Sequence, residues 1–389
     1  MSDTPSVRSA PLLILHATAG AGHTRAAQAV AAALAQQQQL PAPGADHQVV
    51  DTLDCTSEFF RRMYVKAYIE LVQRAPEVWG ALYERYDVVK PAHSKTARAR
   101  LAFDKVNSRS FGQMLAASQA QAILCTHFLP MELLSDLKER GLVTTPVHAV
   151  VTDVSPHAFW VYRHIDHYHV ATALGARELQ RKGVDAARIS VTGIPVDPLF
   201  AQHTPASEAR RALGLPERPT VLFLSGGFGV GPLQSMLESF GQDDNGLSLV
   251  VVAGRNPELE AACRGLAERM GVPVTVLGFV DNMHAWMDAA DLVVTKPGGL
   301  STTESLAKGK PMALVAPIPG QEQRNSDYLL EEGAAVRLHE VSDSAWQLQR
   351  WLSDAERMAR LRANALRIAR PNAAHDIAAH LLSALTAPQ

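Results

Sequence analysis

Cysteine is scarce in this 389-residue chain. The three that occur, Cys55, Cys125 and Cys263, are odd in number and show no metal-ligand spacing, which argues against a disulfide framework or a zinc ribbon. They are expected to be buried thiols in a reducing cytoplasm. No run reaches the roughly 18 apolar residues needed to cross a bilayer, and the opening "MSDTPSVRSAP" lacks the apolar core of a signal peptide, so any membrane contact is expected to be peripheral. Strong net charge is also missing: 37 Lys and Arg against 39 Asp and Glu leave −2, which speaks against a nucleic-acid binder. No internal repeat stands out beyond a shared architecture. What remains is an ordinary globular composition, 47% hydrophobic, in a chain longer than one core usually holds.

Short apolar runs alternate with helical stretches throughout. "PLLILHA", "HQVVDTL", "AILCTH", "VHAVVTD", "HYHVAT" and "ISVTGIP" form one series. After "FAQHTPASEARRALGLPERP" the rhythm restarts with "TVLFLSGG", "LSLVVVAG", "VTVLGFV", "DLVVTKPGG" and "PMALVAPIP". Strand and helix in alternation imply parallel sheets, and two series joined by a polar, proline-bearing link imply two doubly wound α/β domains. The expected division is 1–200 and 201–389, with the last helix, about 371–389, a candidate to pack back on the first domain. Ligands of such sheets bind past the carboxyl ends of strands, so the following loops are where chemistry belongs.

The first such loop is "ATAGAGHTRAAQAV". Gly20 and Gly22 open like a dinucleotide fingerprint, but Arg25 occupies the place of the third glycine, which weakens a cofactor reading. A tight turn then presents His23 at a helix N-terminus, whose positive end favours a neutral, proton-accepting ring. A general base and a histidine that merely caps the helix are equally consistent with the residues.

Two loops of the second half carry anion chemistry. "LSGGFGVGP" places four glycines between Gly226 and Gly231, where free amides can approach a diphosphate or simply make a turn. "TKPGGLSTTES" ends a strand in Lys296, Pro297, Gly298 and Gly299, then supplies Ser301, Thr302, Thr303 and Glu304. Hydroxyls and amides suit phosphate and a carboxylate suits two ribose hydroxyls, while Ser301 with Glu304 also satisfies a plain capping box. Gln321, Glu322, Gln323 and Asn325 follow the next strand and could hold sugar hydroxyls.

Together "GAGHTRAAQAV", "VVTDVSPHAFW", "GGFGVGP", "TKPGGLSTTES" and "PIPGQEQRNS", in this order, resemble the glycosyltransferases that make glycolipids from diacylglycerol. These are the plant monogalactosyldiacylglycerol synthases and the bacterial processive diacylglycerol glucosyltransferases of glycosyltransferase family 28. More distantly the chain is similar to the lipid-linked N-acetylglucosamine transferase of peptidoglycan synthesis. The resemblance implies a GT-B fold, two Rossmann-like domains facing across a cleft, with a UDP-sugar on the second and diacylglycerol on the first. It implies an inverting, metal-free transfer of a hexose, glucose or galactose, with no cofactor beyond the donor; no D-x-D pair stands in a donor loop. By the same resemblance His23 is the base, Gly226, Gly227 and Gly229 flank the diphosphate, and Phe279 and Val280 border uracil. Gly298 and Gly299 lead into Ser301 and Thr302 at phosphate, Glu304 takes ribose, and Glu322 with Asn325 takes the hexose, Gln321 belonging to the same donor-binding set. A different lipid or soluble acceptor, and an inactive UDP-sugar sensor, are the rival readings.

"VVTDVSPHAFW" offers Asp153, His157 and Trp160. As structure they are a turn cap and a core aromatic; with the resemblance, Asp153 orients the acceptor or His23, and Gly22, His157 and Trp160 line the acceptor site, His157 near the donor phosphates. His16, His127, His148, His164, His167 and His169 lie on or beside strands without ligand spacing, and are expected to be satisfied structural histidines rather than a metal site. The segment 58–109 carries eleven Lys and Arg against six acids, with eight aromatics. On residues alone it is a solvated helical pair packed on the core. With the resemblance, Phe59, Phe60, Arg61, Arg62, Lys66 and Trp79 face an anionic membrane surface, and the protein sits peripherally on the inner face of the cell membrane.

Overall fold

The computed structural model describes residues 11–18, 20–37, 46–64, 75–89, 109–226 and 231–386. Gly227, Gly229 and Lys66 lie outside them. The chain divides into two compact units, Met1–Pro198 with Ile318–Gln321 and Asn372–Gln389, and Leu199–Pro317 with Glu322–Pro371.

The first unit is built on six parallel strands, β1 (Leu12–His16), β2 (His47–Asp51), β3 (Ala122–Cys125), β4 (Val147–Val150), β5 (His167–Val170) and β6 (Ile189–Val191), in the order β2-β1-β3-β4-β5-β6. Strands covered on both faces read as continuous apolar runs, and β1, LLILH, is buried at every residue. One face carries Leu13, Leu15, Ile123, Cys125, Val147, Ala149, Tyr168 and Val170. The other carries Leu12, Ile14, Leu124 and Val150 against the helix Ala21–Gln37 and the last helix, Ala373–Thr386. Ala26, Ala27, Ala29 and Ala33 on one helix, with Ala374 and Ala378 on the other, bring the two helices close together over the sheet.

The second unit repeats the plan with β7 (Thr220–Leu224), β8 (Ser248–Val252), β9 (Val274–Leu277), β10 (Leu292–Thr295), β11 (Met312–Leu314) and β12 (Ala335–Arg337), in the order β12-β11-β10-β7-β8-β9, all parallel. β12 escapes the sequence pattern because it is three residues long and ends in Arg337. The polar stretch read as a link contains one short helix, Ala206–Ala212. Arg210 is drawn inside by Asp291, by Glu217 at 2.8 Å and by the Ala289 carbonyl at 3.0 Å. All three cysteines are buried free thiols.

Candidate functional site

In each sheet the chain reverses direction of growth once, between β1 and β3 in the first unit and between β7 and β10 in the second. The loops leaving those strand ends part to opposite faces and open a crevice. His23 lies past β1, the third residue of the helix Ala21–Gln37. Its Nδ1 is 2.8 Å from the Thr126 carbonyl, just past β3, and 3.1 Å from Thr152 Oγ1, just past β4. Thr126 Oγ1 returns a bond to the His23 carbonyl at 2.9 Å. A carbonyl oxygen only accepts, so Nδ1 carries the proton and Nε2 keeps the lone pair. Desolvation, only partly offset by that carbonyl bond, lowers the His23 pKa to about 4, and the ring is neutral at physiological pH. His127 meets it edge-on with centroids 4.5 Å apart, and Trp160 stands at 6.3 Å. His16 bonds Thr24 Oγ1 at 3.2 Å on the other side of the turn.

Thr126 and Thr152, which orient the ring, were not singled out from sequence. Asp153 is half-buried, one residue beyond Thr152. Gly22 is half-buried in the first turn of the helix and Trp160 is buried in the core. His157 is buried and committed to main chain: Nε2 donates to the Tyr83 carbonyl at 2.8 Å and Nδ1 accepts from Phe159 N at 3.1 Å. With both nitrogens held, it ties the helix Pro76–Tyr86 to the 154–160 loop and offers no donor to a phosphate, against expectation. Asp87 reinforces the tie, accepting from Ala158 N at 2.8 Å and pairing with Lys182 at 3.1 Å.

The membrane-facing set divides. Phe59 is 69% exposed, and Arg61 and Arg62 are exposed beside Asp54 and Glu58. Phe60 is instead core, 1% exposed and packed with Ala17, Leu53, Leu129 and Tyr64, because the helical turn at 58–64 points it inward. Trp79 is half-buried and its indole N–H donates to Gln321 Oε1 at 3.3 Å. That contact occupies one of the two lone pairs of the Gln321 carbonyl oxygen. Gly80 is what lets the helix approach residues 318–321, since a Cβ there would stand 2.5 Å from Pro319 Cβ.

In the second unit, Gly226 takes a φ of +73° directly after β7 and Ser225, a conformation that favours glycine. A Cβ on Gly231 would lie 3.5 Å from Lys296 Cε, so the glycine loop and the loop after β10 share one place at the switch point. The helix there begins at Gly299 with Gly298 as its N-cap, not at Ser301. Ser301 and Glu304 are therefore inside the helix and form no capping box. Thr302 is 2% exposed, and its hydroxyl donates to the Gly298 carbonyl at 2.8 Å. Its proton is spent, which removes Thr302 from the expected phosphate ligands. Ser301 is half-buried in the first turn, among amides that no intrahelical carbonyl takes up. Glu304 is buried at 2%. Asn325 Nδ2 donates to the Pro297 carbonyl at 3.0 Å, fixing the Lys-Pro-Gly-Gly turn, and Glu322 Oε1 lies 3.9 Å from a Cβ position on Gly298. Past β9, Phe279 is 55% exposed with the Arg255 guanidinium 4.5 Å over its ring, and Val280 is half-buried. Arg255, a stacking cation at that loop, was missed because nothing in its local pattern marks it.

A family model described as monogalactosyldiacylglycerol synthase matches residues 23–196, beginning at His23, and one described as the glycosyltransferase family 28 C-terminal domain matches residues 221–381. The chloroplastic monogalactosyldiacylglycerol synthase of Spinacia oleracea is 30% identical over 383 residues, 94% of this chain and 71% of that protein. The chain belongs to the monogalactosyldiacylglycerol synthase family of glycosyltransferases. The processive diacylglycerol beta-glucosyltransferase of Bacillus subtilis (strain 168) is 28% identical over 363 residues, 91% of this chain and 90% of that protein. The crystal structure of Acinetobacter baumannii MurG matches with a TM-score of 0.59 at 14% identity, covering 96% of this chain and 99% of that one, which identifies the fold as GT-B. Within this monogalactosyldiacylglycerol synthase family member, the second matched range holds both strands of its switch point, β7 and β10, while the first begins just past β1.

The histidines expected to be satisfied are so only in part. His127 accepts from Leu129 N at 3.0 Å and His167 Nε2 meets Ser190 Oγ at 2.9 Å. His164 Nε2, His148 Nδ1 and both ring nitrogens of His169 are buried without a hydrogen-bond partner among the described residues. Strand pleating sets His148 and His169 against other imidazoles and apolar side chains, where few complementary groups exist. Among the described residues no helix is long and apolar enough to cross a membrane.

Proposed function

We propose that the protein transfers a hexose from a UDP-sugar to the free hydroxyl of diacylglycerol, with inversion and without a metal. The observation that carries the reading is the neutral His23, its Nδ1 proton pinned on the Thr126 carbonyl and its Nε2 lone pair available. Nε2 takes the proton of the acceptor hydroxyl as that oxygen attacks the anomeric carbon. The bond from that carbon to the UDP oxygen breaks, and the departing diphosphate is stabilised by glycine-loop amides, by the first amides of the helix Gly299–Ala307 and by Lys296 beside Gly231. Glu304 takes the ribose and Glu322 the hexose, Glu322 being held close to Gly298. Gly298 and Gly299 leave the helix terminus open to phosphate, and Phe279 with Val280 borders the base. Asp153 serves the acceptor.

Diacylglycerol is reached from a peripheral position on the inner face of the cell membrane, with Phe59, Arg61 and Arg62 toward the anionic surface. The exposed pairs of the two arginines with Asp54 and Glu58 are each worth about 0–1 kcal/mol, so exchange for lipid phosphate is inexpensive. The test is direct. Purified protein with UDP-glucose or UDP-galactose and diacylglycerol in mixed micelles should yield a glycolipid on lipid chromatography, and UDP release without any lipid product would overturn the acceptor assignment.

A further inference from the structure

Three histidines occupy places in the first unit where the fold calls for apolar side chains. On β4, Val147 and Ala149 belong to one core, and His148 alternates to the opposite face with Val150. On β5, Tyr168 and Val170 belong to that first core, and His167 and His169 alternate to the face of His148. The register pairs His148 with His167, within the strands and not past their carboxyl ends, so this cluster is separate from the His23 loops. The last helix covers the same face and brings His380 onto the three rings.

His148 is 4% and His169 0% exposed, and neither His148 Nδ1 nor either nitrogen of His169 has a hydrogen-bond partner among the described residues. Buried polar atoms left in this state call for an explanation such as an ion. Ligand nitrogens of His148, His169 and His380 all lie within 4.8 Å of one another. The six centroid separations among His148, His167, His169 and His380 run from 4.3 to 5.8 Å. Four imidazoles on a tetrahedral ion with metal–nitrogen bonds of about 2.1 Å would place their centroids about 5.2 Å apart. Burial lowers the pKa of His148 to about 3 and of His167 to about 4, and lowers His169 and His380 as well, so the rings are neutral and able to ligate.

We propose that His148, His169 and His380 bind one divalent transition-metal ion of the zinc class, with His167 packed beside them, and that the ion fastens the last helix to β4 and β5. An all-imidazole set suits zinc, copper, nickel or cobalt and does not suit calcium or magnesium. Partly exposed His380 gives the ion a way in.

The test uses the full chain without an affinity tag, stripped of metal by a chelator. Zinc titrated in competition with a chromophoric chelator should bind at one equivalent per chain, and cobalt should give the intense visible bands of a four-coordinate nitrogen site. His380→Ala should weaken zinc binding at least about 100-fold, since partners outside the ligand shell alone are worth roughly 10–100-fold. Its UDP affinity should stay unchanged. Should that variant fold poorly by circular dichroism, the wild-type chain still decides: zinc should slow hydrogen exchange in residues 373–386 and in β4 and β5. Absence of stoichiometric binding, or an unchanged cobalt spectrum in His380→Ala, or zinc-dependent protection confined to other residues, overturns the proposal.

Discussion

The acid limb of the pH–rate profile tests the base assignment most directly. Enclosure of His23 lowers its pKa to about 4, against about 6.5 for an ordinary imidazole. Only the neutral ring accepts a proton, so activity is lost as pH falls through the pKa of the folded enzyme. At pH 5.0 a ring of pKa about 4 is about 90% neutral, whereas one of about 6.5 is about 3% neutral. The expected result is that kcat/KM at pH 5.0 stays within about 10–20% of its value at pH 7.5 where His23 alone limits. The assay is initial-rate glycolipid formation in neutral detergent micelles, with circular dichroism at each pH to verify that the chain is folded. His23→Ala should lower kcat by about 10²–10⁴-fold, the usual contribution of a positioned base. UDP affinity by calorimetry should hold within a few fold, because Gly226, Ser301, Glu304 and Glu322, proposed to hold the donor, belong to the other unit. A folded enzyme whose kcat/KM falls by half near pH 6.5 would refute the desolvated, neutral ring. Near-wild-type turnover of His23→Ala would refute the base itself.

Glu304→Ala should weaken UDP binding by about 1.5–3 kcal/mol, the range for hydrogen bonds to a charged group, whereas Thr302→Val, whose hydroxyl is spent on Gly298, should leave it unchanged; equal losses would return Thr302 to the phosphate site. Asp288→Ala strands Lys308, which is buried against it at 2.7 Å and also donates to the Gln202 carbonyl, and should destabilise the second unit by about 3–5 kcal/mol in urea unfolding; a loss under about 1 kcal/mol would contradict the buried pair. Phe60→Ala should cost about 3–5 kcal/mol of stability, while Phe59→Ala should cost under about 0.5 kcal/mol. Phe59→Ala combined with Arg61→Glu and Arg62→Glu should reduce sedimentation with anionic vesicles at low salt; binding that ignores lipid charge would remove the electrostatic account.

Among the described residues, eleven of the twelve strands were legible as short runs rich in apolar residues, because strands of a parallel sheet covered on both faces are mostly apolar; β2, β5 and β6, with polar or half-buried positions, show the pattern less purely. The loops after β1, β7 and β10 were legible for the same reason, as glycine-rich interruptions at strand ends. His23 stood out by its residue type in such a loop. Its tautomer did not, because Thr126 O and Thr152 Oγ1 come from chain positions more than a hundred residues away. Donor hydroxyls were legible as chemistry but not as availability: Thr302 is withdrawn by a carbonyl one turn back once the helix starts at Gly298 and Gly299. Phe60 and Phe59 are neighbours of one residue type, and only the pitch of a helix against Leu53 and Leu129 separates core from surface. The histidines made the same point in reverse. His148, His167 and His169 are scattered in sequence without ligand spacing, and His380 lies in the last helix. Strand pairing and the return of that helix gather their rings within 5.8 Å of one another, and no local pattern records an encounter of that kind. Sequence by itself determined which segments become strands and which loops end them, because burial and backbone freedom act locally; tertiary structure alone decided which polar groups remain available, because their partners arrive from elsewhere in the chain.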